Sequence, residues 1–203
     1  MQEEEEQKST SIVMQYAILK YPYYILAAIY YLTIHQIILI FAWLYGMIRR
    51  RIQNSQIKKI TPSAKKAFED DQYDEAIKLF LQIVDKIPEV ERPLYRECQY
   101  AVLSLGSLFQ ITGNLEKAEK YLREADLLLA EDDLNRIFLS VYLGDFYAEK
   151  GQLKEAEKNY LSAYEWLSMD KKSDLYKTLC YSMHSLYIQM GQIHQAEKYL
   201  QES

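Results

Sequence analysis

Cysteine is scarce in this chain: 203 residues carry two, Cys98 and Cys180. A disulfide framework and a CxxC-type metal site are thereby excluded, and such sparing use fits a reducing compartment. Glycine (six) and proline (four) are almost as rare. With so few breakers, and with abundant Leu, Ala, Glu, Lys and Gln, the chain is expected to be helical. The usual catalytic signatures are missing: there is no P-loop, GxSxG, HExxH or GxGxxG. Histidine occurs three times, and His184 and His194 fall on different predicted helices. The acidic runs EDDQYDE (69–75) and EDD (131–133) sit at helix joints, where carboxylates cap the next helix. No cofactor or metal set emerges, so the chain reads as non-enzymatic.

Basic charge is also short where a nucleic-acid surface would need it. Residues 67–203 hold 25 acids against 15 bases, which excludes a polynucleotide groove as the main business of that region. The bases gather instead at Arg49, Arg50, Arg51, Lys58, Lys59, Lys65 and Lys66, with no acid among them. This run follows a long apolar stretch. Between Ile12 and Ile48 the only charged residue is Lys20, and the best span is Tyr23 to Ile48. Its 26 residues make a helix of roughly 39 Å, long enough to cross a hydrocarbon core of ~30 Å.

Pro22 precedes the span, Tyr21, Tyr23 and Tyr24 mark one interface, and Trp43 and Tyr45 mark the other. A cleaved signal peptide is a poor alternative, because its leader would be basic and this one begins with Glu3 to Glu6. The basic flank places the C-terminal domain on the cytosolic or matrix side and suits anionic lipid headgroups at Arg49, Arg50 and Arg51. His35 and Gln36 fall near the middle of the span. A polar pair at that depth points to a partner helix, either through packing and hydrogen bonding or through contact with a lipid or cofactor of a complex.

The remainder repeats itself. VLSLGSLFQITGNLEKAEKYLREA (102–125) is echoed by SVYLGDFYAEKGQLKEAEKNYLSA (140–163) and CYSMHSLYIQMGQIHQAEKYLQES (180–203). An earlier copy, ITPSAKKAFEDDQYDEAIKLFLQIVDKIP (60–88), is clean only in its second half. Each copy reads as two amphipathic helices split by a Gly or Asp turn. Gly113, Gly151 and Gly191 suit a left-handed helix stop. Gly106 and Gly144, with Ala118, Ala156 and Ala196, allow close helix approach, and Glu157 reads as a solvated residue. The spacing of Ala76, Ala118, Ala156 and Ala196 varies, so the joints between copies differ in length.

These slots resemble the tetratricopeptide repeat (TPR), whose pattern is W-x2-L-G-x2-Y, A-x3-F and P. They are filled by Val102, Leu105, Gly106, Phe109, Ala118 and Leu122, then Ser140, Leu143, Gly144, Tyr147, Ala156 and Tyr160. In the last copy His184 takes the family's Gly slot and reads as a core or interface histidine. The expected fold is all-α: an N-terminal transmembrane helix followed by a TPR-like α-solenoid of three to four helix pairs. The boundaries are 1–20 (acidic segment), 21–50 (transmembrane helix), 51–60 (basic juxtamembrane linker) and 61–203 (repeats). The last repeat has no polar capping helix after it, which leaves an end for a partner.

The resemblance implies that partners bind in a concave groove lined by first helices. The candidate lining is Tyr100, Leu103, Phe138, Val141, Tyr181 and Ile188, apolar and aromatic, without the basic clamp of chaperone-tail binders. The alternative is that several of these positions pack between repeats. Two functions fit. One is a scaffold, structural subunit or assembly factor of a membrane protein complex, similar to mitochondrial inner-membrane factors of respiratory-chain type. The other is a membrane-anchored receptor or adaptor for client proteins, similar to an import receptor or protease adaptor.

Overall fold

Among the described residues the chain is helical throughout, without a strand. The computed structural model describes the backbone from Gln2 to Ser203 and the side chains from Tyr30 onward; Lys20, Tyr21, Pro22, Tyr23 and Tyr24 lie outside the described side chains. The helices are α1 (Gln2–Glu69), α2 (Tyr73–Asp85), α3 (Arg96–Ile111), α4 (Leu115–Leu128), α5 (Asn135–Glu149), α6 (Leu153–Leu167), α7 (Asp174–Gln189) and α8 (Ile193–Glu202). A 3₁₀ turn, Glu89–Leu94, lies between α2 and α3. Two compact units divide at Ile52 and Gln53.

The first unit is α1 up to Ile52. From Tyr30 the helix is long and apolar enough to cross a membrane, and none of its most apolar window is buried. Tyr31, Phe41, Trp43 and Tyr45 all face outward, as do His35 and Gln36. Thr33 closes its hydroxyl on the Tyr30 carbonyl at 2.9 Å, a back-bond that satisfies the polar group within its own helix.

The second unit is a stack of helix pairs. Residues 53–69 form the first helix of the first pair. Ile57 and Ala64 are fully buried in the core with Phe80 and Ile83, and the Phe68 ring meets Phe80 edge-on. The pairs α3–α4, α5–α6 and α7–α8 follow, each packed on the next. Ala76, Ala118, Ala156 and Ala196 are all fully buried, as their shared slot demands.

Each first helix stops in the same way. Gly113, Gly151 and Gly191 have φ near +75°, +72° and +74°, and Asp71 takes the equivalent place at +57°. The amide three residues beyond the helix then reaches back in each pair: Gln72 to the Ala67 carbonyl, Asn114 to Phe109, Gln152 to Tyr147 and Gln192 to Tyr187, at 2.7–2.8 Å. This six-to-one bond is the signature of a left-handed helix cap. Gly106 and Gly144 sit where the two helices of a pair touch. A methyl on Gly106 would fall 2.6 Å from Leu122 Cδ2, and one on Gly144 would fall 2.3 Å from the Tyr160 ring. In the last pair His184 occupies this slot, half-buried, with Nδ1 2.9 Å from the Ala196 carbonyl.

Two readings of the sequence change. Residues 51–60 are helical rather than a linker, and α1 runs through Pro62. Proline cannot donate to the preceding turn. Around it, however, Ile57 is buried at 0 % exposure and Gln53 donates to the Lys86 carbonyl at 2.9 Å, so tertiary packing outweighs the local break. Glu157 is not merely solvated: it accepts from the Tyr187 hydroxyl of the next pair at 2.8 Å. Glu119, its counterpart one repeat earlier, accepts from Lys150 of the next pair at 2.9 Å. The Ala-Glu-Lys glutamate is therefore a staple between repeats.

Candidate functional site: the face of the first helices

First helices of successive pairs are neighbours: α3 touches α5, and α5 touches α7. Their outward residues form one continuous face. On α7 it is open, with Thr178, Tyr181, Ser185 and Ile188 all exposed. On α5 it includes Phe138, 40 % exposed, with half-buried Tyr142 and Asp145. On α3 the face is less open: Tyr100 and Gln110 are half-buried, and Ser104 and Ser107 between them are buried. The central position of α3, packed against α2, α4 and α5, explains why it shows so little surface.

Two expected lining residues are withdrawn from this face. Leu103 is 2 % exposed and Val141 is 3 % exposed. Leu103 belongs to the core of the first repeats. Val141 packs with Tyr176, Leu179 and Met183 of α7. The open stripe on α5 runs 138–142–145 rather than 138–141–145, a difference of one residue and about 100° around the helix. Tyr142 is the residue that sequence reasoning missed, and its signal was the fourfold step from Phe138.

Tyr142 and Asp145 give the face a polar seam. Tyr160 donates to Asp145 Oδ1 at 2.5 Å. Burial pushes the Asp145 carboxyl above the usual carboxylate range, against hydrogen bonds from Tyr160 and Ser182 that pull it down. Burial likewise raises the Tyr142 hydroxyl, opposed by a hydrogen bond with Ser107, and the Tyr100 hydroxyl, opposed by one with Ser104. The two tyrosine hydroxyls stay neutral and present hydrogen-bonding groups beside the Asp145 carboxyl.

At the start of the array a cavity of about 300 Å³ is lined by Thr61, Lys65, Arg96, Glu97, Tyr100 and Asn135. Lys65 Nζ lies 4.3 Å from the centre of the Tyr100 ring. Lys65 thus belongs to the repeat face and not to the membrane flank with which the sequence grouped it. Among the described residues no cluster of His, Cys, Asp and Glu is placed to hold a metal ion. Both cysteines are buried and free, and burial pushes the Cys98 thiol up to about 12, far from a reactive thiolate.

No protein-family model matches the chain, and no curated protein matches it. Solved structures do. A putative kinesin light chain with nearly identical TPR-like repeats, from Podosopora anserina, is 17 % identical. The match covers 73 % of this chain and 74 % of that one, with a TM-score of 0.61. BtubC (BKLC) from P. vanneervenii is 15 % identical over 74 % of this chain and 61 % of that one, with a TM-score of 0.57. At these identities the likeness is one of fold. The second unit is a TPR-like α-solenoid, a fold that suits protein–protein interaction.

Proposed function

We propose that this chain is a membrane-anchored, non-enzymatic scaffold: a structural subunit or assembly factor of a membrane protein complex. Residues 21–50 are the anchor, and the repeat face grips a neighbouring protein. The observation that carries this reading is a row of exposed apolar side chains on successive first helices. Phe138 is 40 % exposed, Tyr181 56 % and Ile188 46 %. Large apolar groups held on rigid helices are what an interface uses as anchors. The exposed polar pair His35 and Gln36 supplies a second contact, toward a partner helix within the bilayer. Arg49, Arg50 and Arg51 suit anionic headgroups at its boundary. A mitochondrial membrane is the proposed setting, on architectural resemblance to respiratory-chain factors.

A receptor or adaptor for client proteins is the second reading. The cavity with Lys65, Arg96, Glu97 and Asn135 favours it, since two cations against one carboxylate leave a net positive pocket for a carboxylate-bearing peptide. Purification of the full chain from membranes in mild detergent separates the two. The scaffold reading expects a stoichiometric partner that survives size exclusion. Sub-stoichiometric clients alone support the adaptor, and a chain that migrates without any protein contradicts both.

A further inference from the structure

Six of the large apolar side chains exposed in the repeat unit gather at one edge. In a stack of helix pairs every second helix ends, and every following first helix begins, at one edge. The joints between repeats collect there, and the tight turns within repeats collect at the opposite edge. At the joint edge Val90 is 87 % exposed and Leu94 65 %, Leu127 86 % and Leu134 74 %, Trp166 57 % and Met169 91 %. Each of the three joints thus presents two. At the opposite edge the turns read Asp-Asp-Gln, Thr-Gly-Asn, Lys-Gly-Gln and Met-Gly-Gln, with Ile111 and Ile193 the large apolar groups exposed beside them.

The joints form a continuous border. Gln99 Nε2 donates to the Pro93 carbonyl at 2.9 Å and to the Leu128 carbonyl at 3.3 Å, tying the first joint to the second. Leu134 and Trp166 line one small cavity, tying the second to the third. The border also contains the first residue of the unit. Gln53 Nε2 donates to the Lys86 carbonyl, and its Oε1 accepts from the Tyr95 hydroxyl at 3.4 Å, so Gln53 lies against the first joint. In sequence it directly follows Arg49–Ile52 and the apolar run that ends at Ile48.

We propose that the joint edge rests in the headgroup layer of the bilayer, with these six side chains as apolar wedges. This rests on the reading of residues 21–50 as a membrane anchor. Tryptophan and aliphatic side chains at a lipid–water boundary bury their apolar parts among the headgroups. In the same joints six acids (Glu89, Glu91, Glu131, Asp132, Asp133 and Asp170) outnumber four bases (Lys86, Arg92, Lys171 and Lys172), so anionic lipid is not the attraction. The contact is apolar, a zwitterionic surface suffices, and salt leaves it unchanged.

The chain's two tryptophans, Trp43 and Trp166, report on anchor and edge separately. Full-length Trp43→Phe and Trp166→Phe chains are reconstituted into phosphatidylcholine vesicles, with and without bromine on the acyl chain near the headgroup. Bromine quenches fluorescence only at contact range. We expect Trp43 to be quenched in the Trp166→Phe chain. We expect Trp166 in the Trp43→Phe chain to lose roughly a third or more of its emission, as a boundary-seated indole should, at low and high salt alike. Adding Leu134→Asp and Met169→Asp should restore that emission, with circular dichroism confirming the fold. Quenched Trp43 with unquenched Trp166 overturns the proposal, keeps the anchor and leaves the edge to a protein partner. Loss of quenching at both overturns the anchor as well. Quenching that persists in the doubly charged variant overturns the wedge.

Discussion

At Gly144 a single added methyl has no room. It would lie 2.3 Å from two carbons of the Tyr160 ring. That ring is 2 % exposed and its hydroxyl is held by Asp145, so it cannot swing aside. Gly144→Ala should lower stability by about 1–3 kcal/mol, the usual cost of overpacking. Glu165→Ala on the exposed side of α6 should stay within about 0.5 kcal/mol. Equal shifts in thermal melting for the two variants would contradict the assigned packing. Glu157→Ala is no neutral control: it removes the bond from the Tyr187 hydroxyl and should cost about 1 kcal/mol. Asp71 carries the opposite opportunity. It holds φ +57° where three other turns use glycine. A left-handed L-residue is strained by roughly 1–2 kcal/mol, so Asp71→Gly should raise the melting temperature. No rise would mean that its bond with the Tyr73 hydroxyl already offsets the strain.

At the scale of the element, one carboxylate clasps the C-terminal end of α8. Glu202 accepts from the hydroxyls of Tyr176 and Tyr164 and from Lys171. These bonds, led by Tyr176 and acting against burial, pull its carboxyl down to about 2. A depressed carboxylate stabilises the fold above its unfolded pKa and loses that contribution as pH falls toward the folded value. α8 should therefore loosen between about pH 4.5 and 2, seen as loss of amide protection confined to 193–202. Glu202→Gln should show the looser state at neutral pH. If the wild-type helix stays equally protected across that range, the clasp is not what holds it. The elements themselves were largely legible, because Gly113, Gly151 and Gly191 mark helix stops by a backbone need that only a few residues meet. The register of the face was half legible. Positions 141 and 142 are both apolar or aromatic, and which one opens to solvent is decided by α7 packing on α5. The start of the first pair was not legible, since Thr61-Pro62 has the form of a helix start and only burial of Ile57 carries the helix across it.

For the whole molecule, the proposed anchor and the TPR-like array together would hold a partner at a membrane. Removal of residues 1–48 should leave a helical, water-soluble protein, and the full chain should resist alkaline carbonate extraction. Sedimentation of the truncated form with carbonate-washed membranes would contradict a single anchor. The repeat architecture could be read from the recurring Leu-Gly and Ala-Glu-Lys slots, whereas the joint edge could not, because its apolar residues are separated in sequence and meet only in the folded array. The central claim, that the first-helix face grips a partner, is tested most directly by Phe138→Ala with Tyr181→Ala in the full chain. Both side chains are exposed, so the fold and membrane insertion should persist. Loss of two anchoring side chains should weaken binding by about 2–4 kcal/mol, and the partner should be released in a detergent pull-down. Full retention of the partner by a folded, membrane-inserted double variant would contradict the account.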